Sequence, residues 1–274
     1  MTIDADTVAA AVAETWQHLT DGALLPGSWT LREGGAFAAV TGVALPTLNG
    51  VRGERIDPDL GAVAGLLDRV KATGLPYCLQ LRPGMSPALT ELAESRGMVA
   101  AGERPLMLME GPGEIAHAPE ASGLRLRQLS PEEASLHAGV AAAGFGAPEE
   151  PFLRLMTPDV LRLPGVRCYV GDVRSQPVTT GLGVTLGAFT GLFTIATLPA
   201  YRGRGYGTAM TARIVADGLA AGAKWSWLQS SPAGYPTYYR LGFRTVESWP
   251  CWLSATGENL LLSSRVGEGG GPAG

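Results

Sequence analysis

Within seven consecutive residues, Arg202, Gly203, Arg204, Gly205, Tyr206, Gly207 and Thr208, the chain sets two guanidinium groups among three alternate glycines. Glycine leaves no Cβ between the backbone and an approaching anion, and it permits tight left-handed turns. Ahead of this loop lies Phe189 to Leu198, rich in β-branched and aromatic residues, which reads as a strand. Behind it, Ala209 to Ala221 reads as a helix stopped at Gly222. A strand, a glycine turn and a helix in that order aim unpaired N–H groups and a positive dipole end at an anion. The chemistry so indicated is phosphate binding. A nucleotide-hydrolysing loop would end in Gly-Lys-Ser/Thr, whereas this one ends in Gly207-Thr208. A dinucleotide fingerprint would put its third glycine where Thr208 stands, and an acid at the tip of the next strand, Trp225 to Gln229, where Gln229 stands.

Tyr238 is the second candidate. It opens Tyr238-Tyr239-Arg240-Leu241-Gly242-Phe243, some thirty residues beyond the loop. A phenol there could supply a proton, while Tyr239 would leave a helix in another direction.

Together these segments resemble the GNAT superfamily of N-acetyltransferases. Arg202, Gly205 and Gly207 fill the fixed places of that family's Arg/Gln-x-x-Gly-x-Gly/Ala loop, and Tyr238, Gly242 and Phe243 fill its Tyr-x-x-x-Gly-Phe pattern. The resemblance implies acetyl-CoA as co-substrate and acetyl transfer to a primary amine of a small molecule or peptide by direct attack. It assigns the pyrophosphate to Arg202 through Thr208, the pantetheine arm to the main chain of Ile195, Ala196 and Thr197, and protonation of the leaving thiolate to Tyr238. Ser231 stands where many members have asparagine. No base is assigned: the cofactor strand has no carboxylate, and Glu149, Glu150 and Asp159 are the nearest acids on the acceptor side. Phe145, Phe152, Trp227, Trp249 and Trp252 are the aromatic residues available to line an acceptor pocket. A non-catalytic acyl-CoA-binding regulatory module is the alternative, kept open by the missing base.

The chain repeats itself at an offset of 145 residues. Ser86-Pro87-Ala88 falls on Ser231-Pro232-Ala233, Gly97 on Gly242, Pro105 on Pro250 and Leu108 on Leu253. The copies differ where chemistry is concerned. Tyr238 falls on Ala93, and Asn49 to Arg55 lacks the spaced glycines and carries Glu54. The expected fold is therefore α/β (α+β), with two GNAT-like domains, each a mixed, mostly antiparallel twisted sheet flanked by helices. The expected division is a degenerate copy over 1–115, a catalytic copy over 123–256 and a loose glycine-rich tail over 263–274, with Glu110 to Gly123 as the boundary.

Composition narrows the remaining classes. At 274 residues and 46% hydrophobic content the chain can bury two cores, and its 38 glycines call for many turns. A net charge of −4 without a basic tract gives no nucleic-acid footprint. No apolar run reaches a membrane span, and the acidic first helix, with Val8, Val12, Trp16 and Leu19 on one stripe and Asp6 or Thr7 as its cap, is not a secretory leader. Cys78, Cys168 and Cys251 are odd in number and widely spaced, as reduced core thiols of a cytoplasmic protein are, and the scattered His18, His117 and His137 predict no metal site. A homodimer remains open as an assembly.

Overall fold

The computed structural model describes residues 3–23, 25–113, 115 and 121–255. The tail expected over 263–274 and part of the expected boundary lie outside the described residues. In chain order the elements begin with α1 (Ala5–Ala23), β1 (Trp29–Glu33), β2 (Ala36–Val40) and β3 (Asn49–Gly53). They continue with α2 (Leu60–Lys71), β4 (Cys78–Gln80), α3 (Pro87–Ser95) and β5 (Val99–Glu110). After β6 (Leu124–Gln128) come three helices, α4 (Ala134–Phe145), α5 (Glu150–Leu155) and α6 (Pro158–Arg162). The hairpin β7 (Val166–Val173) and β8 (Gln176–Leu186) then leads to β9 (Phe189–Thr197) and α7 (Tyr206–Ala220). The last elements are β10 (Trp225–Gln229), α8 (Tyr235–Arg240) and β11 (Arg244–Leu253).

The fold is mixed α/β, as expected, and the repeat offset carries over to the elements: β5 begins at Val99 and β11 at Arg244, 145 residues later. The two compact units, however, do not follow a single cut near residues 115–123. Among the described residues, one joins 3–23 to Arg104–Ser248, and the other joins 25–103 to 249–255. The reason lies in strand pairing. Leu106 to Glu110 of β5 bond to β10, and Cys251 to Leu253 of β11 bond to β4, so each half closes its sheet with the last strand of the other.

In the unit holding β1 to β4, an antiparallel meander β1-β2-β3 continues into β4, parallel to β3. Its core gathers Val40, Val51, Leu66, Leu79, Leu89 and Trp252. Asn49 is buried and its side chain ties together Thr41, Val43, Leu45 and Pro76, a structural use of the position that the 145-residue offset sets on Thr194. Helix α2 opens with Asp59, whose carboxylate accepts from the Ala62 N–H at 2.7 Å.

In the unit holding β6 to β10, β6, β7, β8 and β9 pair antiparallel and β10 joins β9 in parallel. The β7–β8 hairpin turns on Arg174 and Ser175, at φ 50° and 65°, a tighter turn than the four residues expected from sequence. Helix α1 also belongs here. Its cap is Asp4, which accepts from the Thr7 N–H at 2.7 Å, and not Asp6 or Thr7: the helix starts at Ala5, two or three residues earlier than those caps imply. Helices α4 and α7 cover opposite faces of this sheet, for Thr180 of β8 meets His137 of α4 while a Cβ at Gly181 would strike Met210 and Ile214 of α7. The core on the α7 side gathers Met107, Tyr169, Leu192, Met210, Ile214, Leu228 and Phe243. Cys78, Cys168 and Cys251 are all buried and unbridged.

Candidate active site

The glycine loop is built by two left-handed residues. Gly203 and Gly205 have φ of 74° and 80°, a region costly for residues with a Cβ, and beyond each glycine's chain neighbours nothing lies within 4 Å of where a Cβ at either would sit. Gly205 caps α7, which starts at Tyr206, three residues before the expected Ala209, because the left-handed turn already points the chain into the helix. The first bond of this helix runs from the Ala209 N–H to the Gly205 carbonyl at 2.9 Å, so the N–H groups of Tyr206, Gly207 and Thr208 precede its ladder. With the positive end of the α7 dipole behind them, N–H groups so placed can receive an anion.

The two arginines of the loop do different things. Arg202 folds inward, with Nε donating to the Thr197 carbonyl at 3.3 Å and a terminal nitrogen to the Gly144 carbonyl at 2.6 Å. It therefore braces the loop against the end of β9 and the last turn of α4. Arg204 lies over the Tyr201 ring, 5.3 Å from its centroid, and donates only to the Ala200 carbonyl at 3.2 Å.

Upstream, β9 parts from β10. The parallel pairing covers only Phe189, Thr190 and Gly191, against Trp225, Ser226 and Trp227. Beyond Gly191 the strand keeps β8 on one side, and the edge of Ile195, Ala196 and Thr197 toward β10 is left without a strand partner. A bulge marks the divergence. Thr180 pairs with Ala196 and Leu182 with Phe193, so Thr194 and Ile195 together oppose Gly181. Thr194 is left-handed at φ 48°, a strained state for a β-branched residue. As a result two consecutive side chains turn away from α7. Phe193 meets Trp16 of α1 and Trp227 edge-on, at 6.1 and 5.4 Å, and Thr194 meets His137 of α4 at 3.0 Å. Leu192 and Ile195 pack with the core on the α7 side.

The divergence opens a cleft of about 230 Å³ lined by Trp16, Phe145, Thr194, Gln229, Ser231 and Tyr238, among others. None of its eleven lining residues carries a formal charge. Tyr238 stands edge-to-face on Phe243 at 6.0 Å, and burial pushes its hydroxyl up to about 12. Tyr239, by contrast, is half exposed, under Arg244 and beside Tyr235. Ser231 caps the turn before α8 through the Gly234 N–H at 3.2 Å.

A hydrogen-bonded chain reaches the cleft from α4. Thr180 Oγ1 gives its one proton to the Tyr169 carbonyl at 2.7 Å, so toward His137 Nδ1, also at 2.7 Å, it can only accept. His137 is fully buried, and loss of hydration pushes its imidazole down to about 4, so the ring is neutral. Its proton is therefore on Nδ1, and Nε2 accepts from the Thr194 hydroxyl.

Several expectations about the pocket need correction. Phe145 and Trp227 do line the cleft, but Phe152 is buried behind Phe145, stacked at 6.0 Å. Trp249 and Trp252 fall in the other unit, where Trp252 belongs to the core. Glu150 and Asp159 pair with Arg154 and Arg162, and neither they nor Glu149 lines the cleft. Trp16, Phe193, Thr194 and His137 were not foreseen as site residues. The helical stripe already put Trp16 on the packing face of α1, whereas no local signal ties α1 to this unit.

Residues 141–243 match the family model described as "Acetyltransferase (GNAT) family". That stretch is a GNAT acetyltransferase domain by this match. The whole fold is similar to a GCN5-related N-acetyltransferase from Kribbella flavida, at TM-score 0.66 and 18% identity over 90% of this chain and 96% of that one. A GCN5-related N-acetyltransferase from Sphaerobacter thermophilus aligns at TM-score 0.58 and 17% identity, over 80% and 76%. A tandem GNAT protein from the clavulanic acid biosynthesis pathway aligns at TM-score 0.56 and 13% identity, over 94% of this chain and 97% of its own. No match was found among curated proteins. Among the described residues no helix is long and apolar enough to cross a membrane, and no group of residues is suited to hold a metal ion.

Proposed function

We propose that this protein is an acetyl-CoA-dependent N-acetyltransferase with one working site, in the unit that holds β9 and α7, acting on a primary amine of a small molecule or peptide in the cytoplasm. The observation that carries the reading is the parting of β9 from β10 beyond Gly191, directly ahead of the glycine loop. It leaves a strand edge without a strand partner ahead of the start of α7, and Ile195 of that edge lines the cleft together with Tyr238.

Acetyl-CoA supplies an acyl group activated as a thioester. The N–H groups at the start of α7 receive its pyrophosphate, with Arg204 adding charge and Arg202 holding the loop in shape. The edge of Ile195 to Thr197 pairs with the amide groups of the pantetheine arm, and an N–H from that edge polarises the thioester carbonyl. Tyr238 keeps its proton at neutral pH and presents it to the leaving sulfur. The cleft walls exclude water from the reacting atoms.

The absence of any charged side chain from the cleft lining favours a second reading, a non-catalytic acyl-CoA-binding module. Calorimetry with acetyl-CoA, followed by thiol release across a panel of amines, separates the two. Acceptor-dependent release of thiol supports the enzyme. Binding with no release across a broad panel supports the module, and no binding refutes both.

A further inference from the structure

The polar chain from α4 and the uncharged walls of the cleft bear on which amine is taken, an inference that rests on the reading of the site as an acetyltransferase. Thr194 is the place to begin. Its hydroxyl proton is committed to His137 Nε2, so toward the cleft it offers lone pairs only. It can accept an N–H and cannot donate. Around it stand Trp16, Phe145, Phe193 and Trp227, and no carboxylate that could neutralise an ammonium. Moving a cation into such a space unpaired costs far more than a hydrogen bond returns. Two further donors point to what else the amine carries: Trp227 Nε1 and Gln229 Nε2 are buried beside the cleft without a protein partner, so an acceptor atom on the incoming molecule would satisfy them.

We propose that the cleft takes a weakly basic aromatic amine, uncharged at neutral pH, whose N–H is received by Thr194 Oγ1, with His137 as the positioning residue behind it. In the transfer, the amine nitrogen bonds to the acyl carbon as the carbon–sulfur bond breaks. The sulfur takes the proton of Tyr238, and the surplus proton of the nitrogen passes to Thr194 as Thr194 passes its own to His137 Nε2. Once the product has left, water entering the cleft returns the proton from His137, through Thr194, to Tyr238, so the net change moves one proton from nitrogen to sulfur. A base as weak as the buried His137 relieves only a nitrogen that holds its proton weakly, which an arylamine nitrogen does and an alkylamine nitrogen does not.

The test starts with calorimetry of acetyl-CoA on the whole chain, then compares thiol release with aniline, p-anisidine, hexylamine and spermidine at neutral pH. The two arylamines should exceed hexylamine and spermidine at least tenfold in kcat/KM. Thr194→Val should lose about tenfold in kcat, with acetyl-CoA affinity unchanged, and Thr194→Ser should retain most of the activity, since about tenfold is one hydrogen bond lost in the transition state. Nitrogen-detected spectroscopy of the resting protein should find the proton of His137 on Nδ1. A protein that binds acetyl-CoA yet prefers alkylamines, or acetylates none of the four, overturns the proposal and leaves the proposed cofactor site standing. An Nε2–H tautomer, or full turnover by Thr194→Val, overturns it as well. Failure to bind acetyl-CoA removes the functional reading itself.

Discussion

The guanidinium of Arg202 donates to the carbonyl of Gly144 at 2.6 Å, joining the glycine loop to the last turn of α4. Gly144 itself packs closely on β9, for a Cβ there would sit 2.8 Å from that of Ala196. A residue expected to hold phosphate is thus also a clasp between two elements of the cleft. Arg202→Ala should cost about 1–3 kcal/mol of stability, as expected for a charged hydrogen bond lost at a half-buried carbonyl. Arg204→Ala should stay within about 0.5 kcal/mol while weakening acetyl-CoA binding. Urea unfolding of the two variants checks the contrast, and equal stabilities would remove the clasp.

Gly207 offers a cleaner test of the cradle than Gly205. Gly205 is left-handed, so any replacement there strains the backbone, whereas Gly207 sits within α7 and a Cβ would meet only Thr197 Oγ1, at 3.8 Å. Gly207→Val should fold with near-normal stability and lose acetyl-CoA binding, because its side chain fills the space in front of the α7 N–H groups. Unchanged calorimetric affinity in the folded variant would refute the loop assignment.

Tyr238→Phe should lower turnover by roughly 10²-fold with little effect on acetyl-CoA affinity. Tyr239→Phe should do little, since its ring is half exposed. Burial raises the Tyr238 hydroxyl to about 12, so it stays protonated as pH rises through the ordinary tyrosine range. No alkaline fall in kcat below about pH 10, the ordinary tyrosine pKa, should trace to it. Equal activities for the two phenylalanine variants would take the proton donor away from Tyr238.

His137 gives the protein an acid-side weakness. Its pKa falls from 6.5 in the unfolded chain to about 4 in the fold, so between those values the unfolded chain binds the extra proton. Stability is therefore complete above about pH 6.5 and declines as pH falls toward 4, by about 3 kcal/mol from this group. Replacing His137 with glutamine should lower stability near neutrality and flatten this dependence. Denaturant midpoints measured across that range decide the matter, and parallel curves for the two proteins would sink it.

One acetyl-CoA should bind per chain. In the first copy the start of α2 is occupied by the protein's own carboxylate, Asp59 on the Ala62 N–H, where α7 presents free N–H groups. Ala93, aligned with Tyr238, is buried and has no proton to give. Titration to two equivalents would overturn this.

The glycine loop and Tyr238 were legible because their chemistry depends on local backbone conformation, which spacing encodes. Glycines at 203 and 205 announce left-handed turns, and the strand before them announces its own type. Thr194 was not legible, because a β-branched residue in a left-handed state is produced by the count mismatch between β8 and β9, not by its own preference. His137 looked like one of three scattered histidines, and only the packing of α4 on β8 and β9 gives it partners. The crossed strand pairing was equally hidden, since both copies of the repeat end in similar sequences and either could close either sheet.

That crossing has a consequence for the making of the chain. Leu106 to Glu110 are the bonded neighbours of β10, and without them the strand carrying Trp227 and Gln229 would be a bare edge. Deleting residues 1–115 would therefore strip β10 of that neighbour. On the ribosome, the earlier unit likewise waits for Cys251 to Leu253 before its own sheet is complete. Neither half completes its sheet alone.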